Sequence, residues 1–204
     1  YGLTGMAEGE FAVQDLTWEI VNKMNLGVEL GFLNGMIDLQ LDYFDERRKD
    51  IFMPRESVPM TAGFMKQPWK NFGKVTNQGV EVSLNVNKQF GKDLFVSLMG
   101  TFTYAHNEIT EKDEPSAVVG TNRAETGHPV GQLTGYIAEG LFTEDDFEDV
   151  STGKLKEGIP TQSFVSKLRP GDIRYRDVNG DGKVDVFDKS PIGGTKDPEI
   201  VYGF

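Results

Sequence analysis

The chain has 204 residues, a formal net charge of -11, 24 glycines, 9 prolines and no cysteine. The length suits one or two ordinary domains, and the missing cysteines exclude a disulfide framework and any thiolate metal site. The acidic balance argues against nucleic acid, because no basic stripe is available to neutralise phosphates. No signal peptide opens the chain, and no apolar run approaches the ~20 residues of a membrane helix. That leaves membrane strands open, since their alternating signal is weaker.

Tyr1-Gly2-Leu3-Thr4-Gly5 reads as mid-loop, and Ile200-Val201-Tyr202-Gly203-Phe204 reads as a strand just beginning, so the chain is expected to be a piece of something larger. Residues 1–23 read as irregular, with Leu16-Thr17-Trp18-Glu19 the first dense cluster. Alternation then starts: Leu26, Val28, Leu30 and Phe32 share one face, and Asn25, Gly27, Glu29 and Gly31 the other. Asn34-Gly35 signals a tight turn. The chain returns with Ile37, Leu39, Leu41 and Tyr43 opposite Asp38, Gln40 and Asp42.

Residues 46–77 read as a long connection that begins as a solvated charge run. A second hairpin repeats the first. Val80, Val82, Leu84 and Val86 alternate with polar residues, a turn falls around Gly91-Lys92-Asp93, and Leu94, Val96, Leu98, Gly100, Phe102 and Tyr104 return. The predicted strands thus occupy about 24–45 and 78–105. Residues 106–199 form a second, longer excursion, in which Thr143-Glu144-Asp145-Asp146 resembles a capping box opening a short acidic helix.

One stretch specifies chemistry by spacing. Asp177, Asn179 and Asp181 fall at positions 1, 3 and 5 of a twelve-residue loop. Gly182 is at 6, Lys183 at 7 with only its carbonyl to offer, Asp185 at 9 and Asp188 at 12. That is the calcium-loop pattern with aspartate in place of the final glutamate. No helix flanks it, since Pro170-Gly171 and Ser190-Pro191 bracket it with turn signals. The expected ligands are Asp177, Asn179, Asp181, Lys183, Asp185 and Asp188, around a structural Ca2+. The competing reading is an exposed acidic turn.

Strands of about ten residues, short turns at one end and long connections at the other are the layout of an outer-membrane barrel. Aromatics near the strand ends (Phe32, Tyr43, Phe90, Phe102, Tyr104) suit interfacial girdles. A soluble β-sandwich shows the same alternation with its apolar face in a core. Four strands cannot close, so a barrel needs further strands elsewhere. No catalytic constellation stands out. Of the two histidines, His128 precedes Pro129 in a Gly-rich turn, and no carboxylate spacing singles out a glycosidase pair, so no enzyme is expected.

Four motifs, in order, resemble the SusC/RagA family of TonB-dependent outer-membrane transporters. They are Leu16-Thr17-Trp18-Glu19 before a strand; Asn77-Gln78-Gly79-Val80-Glu81 opening another; Gly127-His128-Pro129-Val130-Gly131 with Gly135-Tyr136 and Gly140-Leu141-Phe142; and Gly171-Asp172-Ile173 through Asp177–Gly182 to Pro198 and Tyr202-Gly203-Phe204. The resemblance implies an all-β fold, part of a large antiparallel transmembrane β-barrel of about 22 strands. It implies that residues 1–204 are a partial barrel domain, with extracellular loops at about 46–77 and 106–199 and the plug outside this chain. It also implies import of glycans or oligopeptides, a SusD-like surface lipoprotein as partner, contact with outer-membrane lipid, and energy through TonB, which engages the missing N-terminal part. The location implied is the outer membrane of a Gram-negative bacterium. The alternative is a soluble calcium-binding β-module that binds carbohydrate.

Overall fold

The computed structural model describes residues 13, 15–64 and 66–204. The Gly-rich opening Tyr1–Gly5 lies outside the described residues. The chain divides into two units. The first holds 1–116, 125–131 and 195–204, the second 117–124 and 132–194.

The first unit is a five-stranded antiparallel sheet. Its strands are β1 (Ile20–Phe32), β2 (Ile37–Pro54), β3 (Trp69–Phe90), β4 (Leu94–Glu111) and β13 (Ile200–Gly203), in the order β1-β2-β3-β4-β13. Turns at 33–36 and 91–93 close one end, and the connections 55–68 and 112–199 both leave from the other. The Asn34-Gly35 turn is wider than two residues. Phe32 pairs with Ile37, and Leu33, Asn34 and Gly35 all take positive φ.

The register places the alternating residues in rows across the sheet. Leu26, Tyr43, Val80, Tyr104 and Ile200 lie side by side. Next come Val28, Leu41, Val82, Phe102 and Tyr202, then Leu30, Leu39, Leu84 and Gly100, then Phe32, Ile37, Val86 and Leu98. One row beyond Tyr43 and Tyr104, the same face turns polar with Asp45, Gln78 and His106, Met24 on β1 excepted. The apolar face is therefore a bounded belt. Tyr43 and Tyr104 mark one margin, Phe32 and Phe90 lie at the turn end, and Phe102 sits inside the belt.

The strands run further than the alternation predicts. β2 continues to Pro54 and β3 begins at Trp69, so most of 46–77 is strand and the true connection is 55–68. Beyond the belt, pairing no longer needs an apolar face. Cross-strand charges take over there: Lys23 to Glu46 at 2.5 Å, Arg48 to Glu19 at 2.8 Å, and Lys74 to Glu111.

Two family-like motifs have local causes. Asn71 donates from Nδ2 to the carbonyls of Thr17 and Asp50 and accepts from the Thr17 N–H, so Leu16-Thr17-Trp18-Glu19 is fastened just before β1 and beside a bulge. Gly79 pairs with Phe44, and a Cβ there would run into the Phe44 ring and the Tyr104 carbonyl. Glycine in Asn77-Gln78-Gly79-Val80-Glu81 is therefore required by close approach.

The second unit consists of short pieces. β5 (Gln132–Gly135) pairs with β12 (Ser190–Thr195), β6 (Ala138–Leu141) with β10 (Ile173–Tyr175), and β7 (Phe147–Asp149) with β8 (Lys154–Leu155). β9 (Thr161–Gln162) runs parallel to β11 (Lys183–Val184). Its core is Phe142, Phe147 and Leu168, backed by Leu155, Ile159 and Val165. The acidic helix expected from Thr143 is a single 3-10 turn, Glu144–Asp146. Its capping box is present, with Asp146 accepting from the Thr143 N–H and hydroxyl. Those two bonds hold the Asp146 carboxyl below the usual carboxylate range.

Candidate functional site

Three features of the chain can carry function: the two faces of the five-stranded sheet, the loop end of the first unit, and the acidic loop of the second. On the sheet, the belt residues Leu26, Val28, Leu30 and Phe32 are exposed, as are Leu41, Val80, Leu84, Leu98 and Phe102. A sandwich would bury such a face in a core. The opposite face carries Glu29, Asp38, Asp42 and Glu81 among Gln40, Ser83, Asn85, Thr101 and Thr103. Concavities open on it among the described residues. One of about 410 Å³ is lined by Glu29, Asp38, Gln40, Ser83 and Asn85, and one of about 360 Å³ by Glu46, Arg48, Asn77, Asn107 and Glu199.

At the loop end, Lys112-Asp113-Glu114 follows β4 and fastens what surrounds it. Asp113 is buried and accepts from Arg55 Nε at 2.8 Å, the Ser57 hydroxyl at 3.0 Å and the Ser57 N–H at 3.2 Å. Burial pushes its carboxyl up, but Arg55 and Ser57 outweigh that and hold it below the usual range. Glu114, also buried, accepts from the Glu125 N–H at 2.5 Å and the Thr126 hydroxyl at 2.7 Å. Gly127-His128-Pro129-Val130-Gly131 continues this fastening. Gly127 donates to the Ile109 carbonyl, Ile109 to the His128 carbonyl, and the Val130 N–H to Asn107 Oδ1. His128 thus serves a turn through its backbone. His106 sits 2.7 Å from Glu199 Oε1 through Nδ1, beside the start of β13. Sequence reasoning missed Asp113, Glu114 and Arg55, because a Lys-Asp-Glu run reads as solvated charge and Arg55 lies 58 residues away.

The side chains of Asp177, Asn179, Asp181, Asp185 and Asp188 all accept from the loop's own backbone. Asp177 accepts from the N–H groups of Gly180 and Gly182, both at 2.7 Å. Asn179 accepts from Asp181 N–H, and Asp181 from Lys183 N–H, both at 2.9 Å. Asp185 accepts from Phe187 N–H at 2.9 Å and faces the Lys183 ammonium at 3.1 Å. The Phe187 N–H, with Lys183 behind it, holds the Asp185 carboxyl below the usual range against a smaller burial effect. Asp188 is fully buried; one oxygen accepts from Val178 and Asn179, the other from Asp185. Gly180 and Gly182 take φ of 75° and 83°, which the sharp turn requires. Lys183 turns its ammonium toward Asp185. Among the described residues, no three Asp, Glu or His side chains converge closely enough to hold a metal ion. Each carboxylate oxygen has two lone pairs, so most of these oxygens keep acceptor capacity beyond the N–H they bind.

The aromatics beyond the belt and in the second unit are engaged by neighbouring side chains. Trp69 stacks on Phe52 at 5.1 Å, Phe72 lies under the Arg55 guanidinium, and Phe142 is core. Tyr136, Phe164 and Tyr175 form a mutual cluster with ring centroids 4.8–5.8 Å apart.

The family described as "TonB dependent receptor-like, beta-barrel" matches residues 1–191. The chain belongs to this family. Among curated relatives, it is 24% identical over 99% of its length to TonB-dependent receptor P3 of Formosa agariphila. It is 29% identical over 86% of its length to TonB-dependent receptor SusC of Bacteroides thetaiotaomicron. It covers 20% and 17% of those two proteins, so it spans about a fifth of their length. Among solved structures, 94% of the chain superposes on 19% of a chain of the RagAB peptide importer in its open-open state, with a TM-score of 0.62 at 21% identity. That likeness concerns the fold.

The barrel assignment gives the two faces their meanings. A barrel-wall strand presents apolar residues to lipid and polar ones to the lumen. The belt is the lipid face, and the face with Glu29, Asp38, Asp42 and Glu81 lines the interior. Strands of 13, 18, 22 and 18 residues exceed the ~9–11 that cross a bilayer, so they project beyond it at the end carrying the long connections.

Proposed function

We propose that this chain is the wall segment of a SusC-like transporter in the outer membrane of a Gram-negative bacterium, importing glycans or oligopeptides. In this reading the connections 55–68 and 112–199 face the outside, a SusD-like lipoprotein lids them, and TonB drives uptake through parts outside this chain. The observation that carries the reading is the family match along residues 1–191. It is supported by the likeness to SusC and by the fold shared with a peptide importer. The test is uptake by intact cells with the full-length gene present or deleted. Deletion is expected to abolish uptake of one cargo class, oligopeptide or glycan, and a protonophore is expected to do the same to cells that keep the gene. Unchanged uptake of both classes after deletion would overturn the proposal.

We further propose that the acidic loop takes a structural calcium ion on side-chain oxygens of Asp177, Asn179, Asp181, Asp185 and Asp188 with the Lys183 carbonyl. Support comes from the spacing and from the spare lone pairs. Binding requires these oxygens to draw inward from their present positions, and Lys183 to release Asp185.

A further inference from the structure

The strongest arrangement that the transport reading leaves unused is the segment 117–124, which leaves the first unit after Ser116 and rejoins it at Glu125. It is stiffened by Thr121: the Thr121 N–H and hydroxyl both donate to the Val118 carbonyl, the hydroxyl accepts from the Arg123 N–H, and Ala124 N–H donates to the Thr121 carbonyl. That pair of turns presents two side chains to the exit of the acidic loop. Asn122 Nδ2 donates to the carbonyls of Lys189 at 2.7 Å and Phe187 at 3.0 Å, with the Ser190 hydroxyl at 3.3 Å. Arg123 lays its guanidinium over the Phe187 ring, 4.9 Å from the centroid.

The residues so gripped flank Asp188. Ser190, buried, donates its hydroxyl to the Asp188 carbonyl, and Asp188 holds the backbone at 178, 179 and 185. One unbroken set of hydrogen bonds therefore runs from Asn122 to the start of the acidic loop. The base of the segment is closed within the first unit, where Glu114 accepts from Glu125 and Thr126, and Lys112 pairs with Glu125 at 3.0 Å.

We propose that residues 117–124 are a strap that couples the order of the acidic loop to the closure of Glu114 at the end of β4. The segment is eight residues long, fastened at its base and gripping at its tip, and loss of one attachment is expected to slacken the other. In this scheme a change at the acidic loop is felt at Glu114 through the chain between them. The strap acts whether or not the loop holds a cation and whatever the cargo. Asn122 and Glu114 are positioning residues in this scheme.

Contiguity alone does not establish coupling, so the test is a cycle of variants read at a distance. Hydrogen exchange by mass spectrometry is measured on the full-length protein in detergent, for wild type, Asn122→Ala, Glu114→Ala and the double variant. Asn122→Ala is expected to speed exchange across 177–190 at least fivefold. Glu114→Ala, whose own contacts lie in the first unit, is expected to speed exchange in the same 177–190 segment. The double variant is expected to exchange there no faster than Asn122→Ala alone. Thr126→Val deletes one donor to Glu114 and serves where Glu114→Ala fails to yield folded protein; it is expected to act in the same direction. Faster exchange confined to 112–126 in the Glu114 or Thr126 variants, with 177–190 unchanged, would overturn the strap.

Discussion

Arginine at Leu84 is expected to destabilise the assembled barrel by ~2–4 kcal/mol, whereas arginine at the next residue, Asn85, is expected to be tolerated. Leu84 stands in the row Leu30, Leu39, Leu84, Gly100, with further apolar rows on both sides. A guanidinium there has no water and no carboxylate within its row. Asn85 stands in the row Gly31, Asp38, Asn85, Met99 on the interior face, where Asp38 supplies a carboxylate next to the new cation. Both substitutions place the same arginine at adjacent positions of β3, one on each side of the sheet. Urea unfolding of the full-length protein refolded into lipid vesicles gives both values. Equal losses at the two sites would contradict the lipid assignment.

The second large effect is expected at Asp188. Replacing it with alanine strips the acceptor from three backbone N–H groups, those of Val178, Asn179 and Asp185, in a fully buried place. An unsatisfied buried donor costs ~1–3 kcal/mol, so the loop is expected to lose about 3 kcal/mol of local stability. That corresponds to roughly hundredfold faster amide exchange across 177–188. Asp181→Ala removes an exposed side chain with one backbone partner and is expected to cost far less. The same measurement tests the cation. Adding calcium to about 1 mM is expected to slow exchange across 177–188 in the wild type and to leave Asp188→Ala unchanged. Identical wild-type exchange in calcium and in chelator would remove the calcium proposal while leaving the backbone role of Asp188 intact.

What was legible in the sequence was what repeats locally. Leu26 to Phe32 and Val80 to Val86 announce their faces by a period of two, and the tight turns between the long strands announce which end carries the long connections. The register that sets Tyr43 beside Val80 and Tyr104 was not legible, because it depends on partners 20 to 60 residues away. The charged continuation of β2 through Asp45–Asp50 was also missed. Above the belt the strand keeps its backbone ladder without an apolar face, and its composition then resembles that of a solvated loop. The acidic loop was legible as a pattern, but its spacing gave no sign that Asp188 would be wholly buried and spent on backbone N–H groups. Asn122 lies in an unremarkable Gly-Thr-Asn-Arg stretch, and its significance exists only through carbonyls at 187 and 189.

The most direct test of the central claim, that this chain is barrel wall with one face to lipid, is the environment of successive residues along β3. Spin labels placed singly at positions 80 to 86 of the full-length protein in lipid vesicles can be read by collision with oxygen, which concentrates in lipid, and with a water-soluble nickel chelate. The expected result is a strict alternation: oxygen contact highest at Val80, Val82, Leu84 and Val86, and nickel contact highest at Glu81, Ser83 and Asn85. Equal access of both reagents to the two sets, or burial of the even-numbered set from both, would contradict the barrel assignment.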